Sequence, residues 1–199
     1  MDEKPDQGGV RRPPHIILKY PRGHGQSNKK RIPLGNTRED DIIDKMTRKE
    51  RYYIDTSVIG GCLDEEFEKA SRRLMDLFAR GENTAMISDI TMAEVRQAPR
   101  EVRRLLDDIP SEHIERVDLD EESNALSASY IKEKVIPRRF LADSQHIAMA
   151  TVARADLVVS WNFKHIVNIG RIRGFNSVNV KLGYGAIEIR SPWEVVGRE

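Results

Sequence analysis

From Arg51 onward the apolar positions alternate between two periods, short runs of three to five residues and longer stretches at helical spacing. Tyr52, Tyr53 and Ile54 form a short apolar run closed by Asp55, as expected of a buried strand. Between Asp64 and Arg80, Phe67, Ala70, Leu74, Leu77 and Phe78 recur one helical face apart, and Gly81 stops the run, which predicts a helix. Thr84–Ser88 reads as a second strand. Ser88 or Asp89 caps a helix running through Arg96, and Pro99–Ile109 supplies another. His113–Leu119 alternates like a strand, Asp120 caps a helix to about Val135, and Pro137 interrupts the chain before a strongly periodic helix over Arg138–Ala153. Asp156–Ser160 predicts a fourth strand, Phe163–Ile172 a helix and Ala186–Ile189 a last strand. Strands that alternate with helices, with no internal repeat, imply an α/β fold. The expected architecture is a three-layer α/β/α domain with a central parallel sheet of four to five strands over residues 51–196.

Residues 1–37 behave differently. They hold five of the nine prolines and five of the thirteen glycines, and apart from HIILKY they lack a sustained apolar period. The expectation is a flexible, basic N-terminal extension over residues 1–50, with a short helix at Thr37–Lys49. Three origins stay open for the segment ahead of Met46: a start assigned too early, a fused partner segment, or a genuine basic arm. In the last case Arg11, Arg12, Lys29, Lys30 or Arg31 would reach an acidic cleft of the same chain and cover it.

Composition narrows the class. A chain of 199 residues holds one ordinary domain and a tail. No run approaches the roughly 18 apolar residues of a membrane span, and the first ten residues lack an apolar signal core, so no membrane segment or signal peptide is expected. Cys62 is the only cysteine, which excludes an intramolecular disulfide and a thiolate metal cluster, and a reducing cytoplasm is the expected location. The net charge of +1 divides unevenly: residues 1–50 carry +4 and residues 51–199 carry −3. Overall charge therefore does not make the folded part an RNA-binding module, and any RNA contact must rest on local patches and on metal.

Four oxygen-bearing side chains need explaining. Ligands of open parallel sheets bind beyond the carboxyl ends of the strands. Asp55 directly follows YYI, Asn162 follows DLVVS, Glu94 lies in the helix after TAMIS, and Asp143 lies on the helix before DLVVS. Each has a plain structural role available. Asp55 can cap the next turn, Glu94 stands at capping-box spacing from Thr91, and Asn162 suits turn chemistry. Asp143 is harder to explain, because it shares a helical face with Phe140, Ile147 and Ala150. A carboxylate there costs several kcal/mol unless it is paired. Arg138, Arg139 or Arg154 would serve as its partner, and a cation would serve equally. Three acids and an amide, with no sulfur in support, suit a hard ion such as Mg²⁺ or Mn²⁺. Such a site activates water and hydrolyses a phosphodiester without a covalent nucleophile.

YYIDTSVIGG, AEV, FLADSQHIAMA, ADLVVSWNFKHI and IEIRSPWEVV together resemble the PIN-domain family, and especially the VapC-type toxins of prokaryotic toxin–antitoxin pairs. The resemblance covers residues 51–196, with 39 residues from Asp55 to Glu94, 49 to Asp143 and 19 to Asn162. It implies a parallel-sheet α/β/α fold, a homodimer, and an acidic pocket for one or two divalent ions. It further implies endoribonuclease activity and a cognate antitoxin as partner. By position Asp55, Glu94 and Asp143 match the family's first three acids. Ser57 matches a hydroxyl near the metal, and Asn162 falls where many members carry a fourth acid. That amide removes a negative charge, which weakens the expectation of a second ion. A PIN-fold scaffold that binds RNA or a protein partner without cutting is the alternative reading.

Lesser features divide between function and packing. His146, one turn from Asp143, and His165, close to Asn162, would lie in a second shell or simply pack. Lys132, Lys134, Arg138, Arg139, Lys164, Arg171 and Arg173 would flank a phosphate path or form a solvated surface. Trp161 and Trp193 would stack on bases or fill the interior. No dinucleotide fingerprint and no GxxxxGK[ST] phosphate loop occur in the chain.

Overall fold

The strands of the sheet supply side chains to two apolar cores, and this division fixes where the helices lie. The computed structural model describes residues 48–197. The N-terminal extension and the helix expected at Thr37–Lys49 lie outside the described residues, save for residues 48–50, which are not helical. The elements run β1 (Arg51–Ile54), α1 (Thr56–Gly61), α2 (Glu68–Ala79), β2 (Thr84–Ser88), α3 (Asp89–Gln97), α4 (Arg100–Asp107) and β3 (Ile114–Val117). They continue with α5 (Glu121–Lys132), α6 (Leu141–Val152), β4 (Leu157–Val159), α7 (Ile169–Lys181), β5 (Ile189–Arg190) and α8 (Pro192–Val196). The five strands are all parallel in the order β3-β2-β1-β4-β5, with Tyr53 opposite Met86 on one side and Val158 on the other.

Strand side chains alternate with a period of two. Tyr53, Met86 and Val158 enter a core shared with Leu126, Tyr130, Ile147 and Phe175 of α5, α6 and α7. Tyr52, Ile54, Ala85, Ile87, Leu157 and Val159 enter a second core with Val58, Leu74, Phe78, Val95 and Leu106 of α1 to α4. Both faces of the sheet are covered, as all-parallel sheets require. The first core carries a satisfied polar group: the Tyr130 hydroxyl donates to Asn179 Oδ1 at 2.5 Å, and Asn179 Nδ2 donates to Thr151 Oγ1 at 3.3 Å. Burial pushes the Tyr130 hydroxyl well above its usual range, so it stays a neutral donor.

The structure corrects several expected boundaries. The helix expected from Asp64 begins at Glu68, and a separate helix, α1, occupies residues 56–61. Asp55 caps α1 by accepting the Ser57 N–H at 3.1 Å. The helix expected at Phe163–Ile172 is displaced to Ile169–Lys181, because Asn168 Oδ1 accepts the N–H groups of Gly170 and Arg171 and starts it there. A short 3-10 turn, Arg138–Phe140, precedes α6. The last strand is shorter than expected, since Ile187 exchanges both backbone groups with the Asn176 side-chain amide rather than with a neighbouring strand.

α1 packs so closely that its last residue must lack a side chain. A Cβ on Gly61 would stand 2.6 Å from Ser71 Oγ and 2.7 Å from Trp161 Nε1, two atoms hydrogen-bonded to each other at 2.8 Å. Gly60 has open space around it. Gly61→Ala is therefore expected to destabilise the protein by about 1–3 kcal/mol through overpacking, whereas Gly60→Ala leaves stability unchanged or slightly higher. Thermal denaturation of the two variants side by side checks this. Equal melting temperatures would show that the α1–Trp161 contact yields easily.

Candidate functional site

β1 lies at the centre of the sheet, and the chain departs from it first towards β2 and later returns on its other side as β4. The crevice between the carboxyl ends of β1 and β4 is thus the topological switch point, where ligands of such sheets bind. Asp55 leaves β1 there, and Ser160, Trp161 and Asn162 leave β4.

Asp55 is 6 % exposed, and its carboxylate accepts from hydroxyl and N–H groups. Its Oδ1 accepts the Ser57 N–H and the Ser57 hydroxyl at 2.5 Å, and its Oδ2 accepts the Ser160 hydroxyl at 2.6 Å. The same serine oxygens then act as acceptors. Ser57 Oγ takes the Trp161 N–H and Ser160 Oγ takes the Asn162 N–H, each at 2.9 Å. One carboxylate thereby ties the ends of two neighbouring strands together. Ser57 belongs to the sequence expectation; Ser160 does not, and only its place opposite Asp55 across the β1–β4 pair discloses it.

Asp143, on the first turn of α6, is half-buried and accepts the Asn162 Nδ2–H at 2.8 Å. Neither Arg138, Arg139 nor Arg154 pairs with it. The Arg139 guanidinium lies over the Phe140 ring at 4.9 Å instead. Burial holds the Asp143 carboxyl above the usual carboxylate range, and the nearby Asp55 charge acts in the same direction. His165, His146 and the Asn162 hydrogen bond oppose this without cancelling it. Asp55 and Asp143 therefore share one electrostatic environment.

Asn162 supplies an N–H to this pair, not a carbonyl. Its Oδ1 accepts the His165 backbone N–H at 3.0 Å, which fixes the orientation of the amide. Glu94 bonds a different partner. It is exposed on α3 and accepts the Thr56 hydroxyl, one residue beyond Asp55. The capping role open to Glu94 is not realised, because Ser88 is the N-cap of α3 and Thr91 lies inside the helix. Asp156 stands at the opposite end of the sheet, where it accepts the Arg51 N–H at 2.9 Å and pairs with Arg48.

Two histidines line the α6 side. His146 Nδ1 bonds the buried Tyr53 hydroxyl at 2.7 Å. His165 is 8 % exposed, packs on Phe140 at 3.7 Å between ring centres, and leaves its Nδ1 without a partner. Burial lowers its pKa; Asp143 opposes this, while Lys164, Arg171 and Arg139 add to it.

As the side chains stand, no group of three or more His, Cys, Asp or Glu residues among the described ones encloses a metal position. The donor chemistry nonetheless fits one hard divalent cation. Two carboxylates from separate segments are linked through the neutral side chains of Ser160 and Asn162, and such ions commonly take one or two protein carboxylates and complete their shell with water.

No known family's sequence profile matches the chain, and no curated protein matches it. Among solved structures, VapBC2 from Rickettsia felis bound to a DNA fragment from its promoter is 16 % identical, with a TM-score of 0.44 over 71 % of this chain and 98 % of that one. FitAcB from Neisseria gonorrhoeae is 19 % identical, with a TM-score of 0.46 over the same shares. At this distance neither carries an argument for function.

The raised Asp143 pKa fixes the sign of a pH effect. The folded state holds that proton more tightly than the unfolded chain does, so folded stability falls as pH rises from about 4 through the folded-state pKa. Asp143→Asn removes the effect. The variant is expected to match or exceed the wild-type melting temperature at pH 7 without metal, an advantage that disappears below about pH 4. Mn²⁺ is expected to raise the wild-type melting temperature and to leave the variant unmoved. A variant that melts lower at pH 7 would show that the Asp143 charge is already compensated within the protein.

Proposed function

We propose that the chain is a Mg²⁺- or Mn²⁺-dependent endoribonuclease of the PIN-domain type, the toxin of a toxin–antitoxin pair, acting as a homodimer restrained by a cognate antitoxin. The observation that supports this best is that Asp55 and Asp143 are linked through Ser160 and Asn162 at the switch point of the sheet, by neutral hydroxyl, amide and N–H groups of the described residues. Two partly desolvated carboxylates held together without a cation are costly in a resting protein, and a divalent ion removes that cost.

In this reading Asp55 and Asp143 hold the ion, and Glu94 joins from α3 directly or through a water. The bound ion supplies charge that polarises a phosphodiester and acidifies a water. The chain's own groups supply position. Ser57 and Ser160 leave Asp55 no rotational freedom, while the Asn162 amide holds Asp143. His146 and His165 stand close enough for their fields to act on the Asp143 carboxylate, both favouring its charged form.

A second reading, a PIN-fold scaffold that binds RNA or protein without cutting, draws on the amide at position 162. It carries no charge, and it turns its nitrogen rather than its oxygen toward Asp143 while the oxygen accepts the His165 N–H. RNA cleavage by the purified chain in Mn²⁺, Mg²⁺ or EDTA separates the two. The nuclease is expected to need metal and to lose at least about a hundredfold in rate in Asp55→Asn and Asp143→Asn, the scale of removing a central charge-stabilising group. Asn162→Asp is expected to lower the metal concentration that half-saturates the reaction. A folded wild type that leaves RNA intact in every metal, while Asn162→Asp cuts it, would favour the scaffold.

A further inference from the structure

Four aromatic rings cluster around Trp161, whose backbone adjoins the carboxylate site, and the chemistry above uses none of them. Trp161 stacks on Phe67 with centroids 4.4 Å apart, Trp193 meets Trp161 edge-on at 4.7 Å, and Phe163 lies nearly parallel to Trp193 at 6.0 Å. The cluster is anchored to the site itself. The Trp161 indole N–H donates to Ser71 Oγ, and the Trp161 backbone N–H donates to Ser57 Oγ, the hydroxyl that holds Asp55. Packing accounts for Trp161, which is 6 % exposed. It does not account for Phe163, whose ring is the outermost of the group at 43 % exposed. A phenylalanine left in water beside buried rings forgoes the burial that such side chains ordinarily gain.

The neighbours of Phe163 indicate what covers it. Asn162 donates to Asp143, while Lys164 is exposed and has no ion pair among the described residues. Three consecutive side chains thus present an amide at Asp143, a partly exposed flat ring, and an exposed ammonium. A nucleotide offers the matching set, a base with a π-face and a phosphate one sugar away. Every base can stack on an aromatic ring, provided it is not already paired within a duplex.

We propose that Phe163, backed by Trp193 and Trp161 and flanked by Lys164, is a shelf that takes one unpaired base of single-stranded RNA and so sets the strand's phosphates beside Asp55 and Asp143. The shelf rests on the ribonuclease reading for the nature of the strand, but its binding step requires no cleavage.

The chain contains two tryptophans, and both belong to this cluster, so the indole fluorescence of the full-length protein reports on the shelf alone. The experiment titrates a single-stranded RNA octamer in EDTA and again in Ca²⁺, with an RNA duplex as comparison. Saturable quenching by the single strand is expected, with affinity weakened about five- to hundredfold in Phe163→Ala, the range for loss of one stacked base. Phe163→Tyr is expected to restore it, and Lys164→Ala to reduce the salt dependence by about one phosphate contact. Unchanged affinity in Phe163→Ala overturns the shelf, as does equal affinity for the duplex or no quenching at all. If the wild type cuts RNA and Phe163→Ala keeps its KM, the shelf fails while the nuclease stands. If quenching depends on Phe163 in a protein that never cuts RNA, the shelf stands and the nuclease reading fails.

Discussion

The hydroxyls of Ser57 and Ser160 close on the Asp55 carboxylate from the ends of two neighbouring strands, and the rest of the site hangs from that bridge. Hydrogen bonds to an ionised acceptor contribute about 1.5–3 kcal/mol each, roughly twice a neutral pair. Three of them on one carboxylate therefore outweigh most local alternatives for this stretch of backbone. The same serine oxygens accept the N–H groups of Trp161 and Asn162, so the path of the chain after β4 is set by the acid after β1. Asp55 is in this way both the cap of α1 and the centre of the site. The two roles use different lone pairs of the same group and do not compete.

The position of Asp143 follows from the helix it occupies. α6 is buried along Ser144, His146, Ile147 and Ala150, and its first turn carries Asp143 to the mouth of the β1–β4 crevice. There burial, with the field of Asp55 added, leaves it above its ordinary pKa, and one amide donor opposes the rise without cancelling it. An isolated acid of this kind would be a fault in a purely structural protein. Next to a second acid, at the switch point of a parallel sheet, it reads as a seat for a cation. The aromatic cluster on the other side of Asn162 adds a surface of the opposite kind, flat and apolar, one residue away.

Much of the fold was legible because burial leaves a periodic trace. TAMIS coincides with β2, and the runs YYI and DLVV mark β1 and β4, since each strand is short, apolar and bounded by polar residues. The displaced helix after β4 shows where such reading fails. Asn162 and Asn168 both favour turns, and the apolar residues between them bear on the core from an irregular segment. Asp55, Glu94, Asp143 and Asn162 could be named from the chain because acids near strand ends and on apolar helical faces are conspicuous. Ser160 and Thr56 could not, because a hydroxyl gains meaning only from the atom it faces.

The sequence by itself determined the class of fold, the alternation of strands and helices and the set of oxygen donors, all of which depend on residue type and local spacing. Only the tertiary structure decided how those donors pair. It turned the Asn162 amide so that nitrogen, not oxygen, meets Asp143, sent Glu94 to Thr56, and set the Arg139 guanidinium over the Phe140 ring. Those outcomes depend on side chains up to 105 residues apart in the chain, as Asp55 and Ser160 are. Hydrogen-bond direction is settled by the competition among all the partners that folding brings within reach, and that competition leaves no trace in local periodicity.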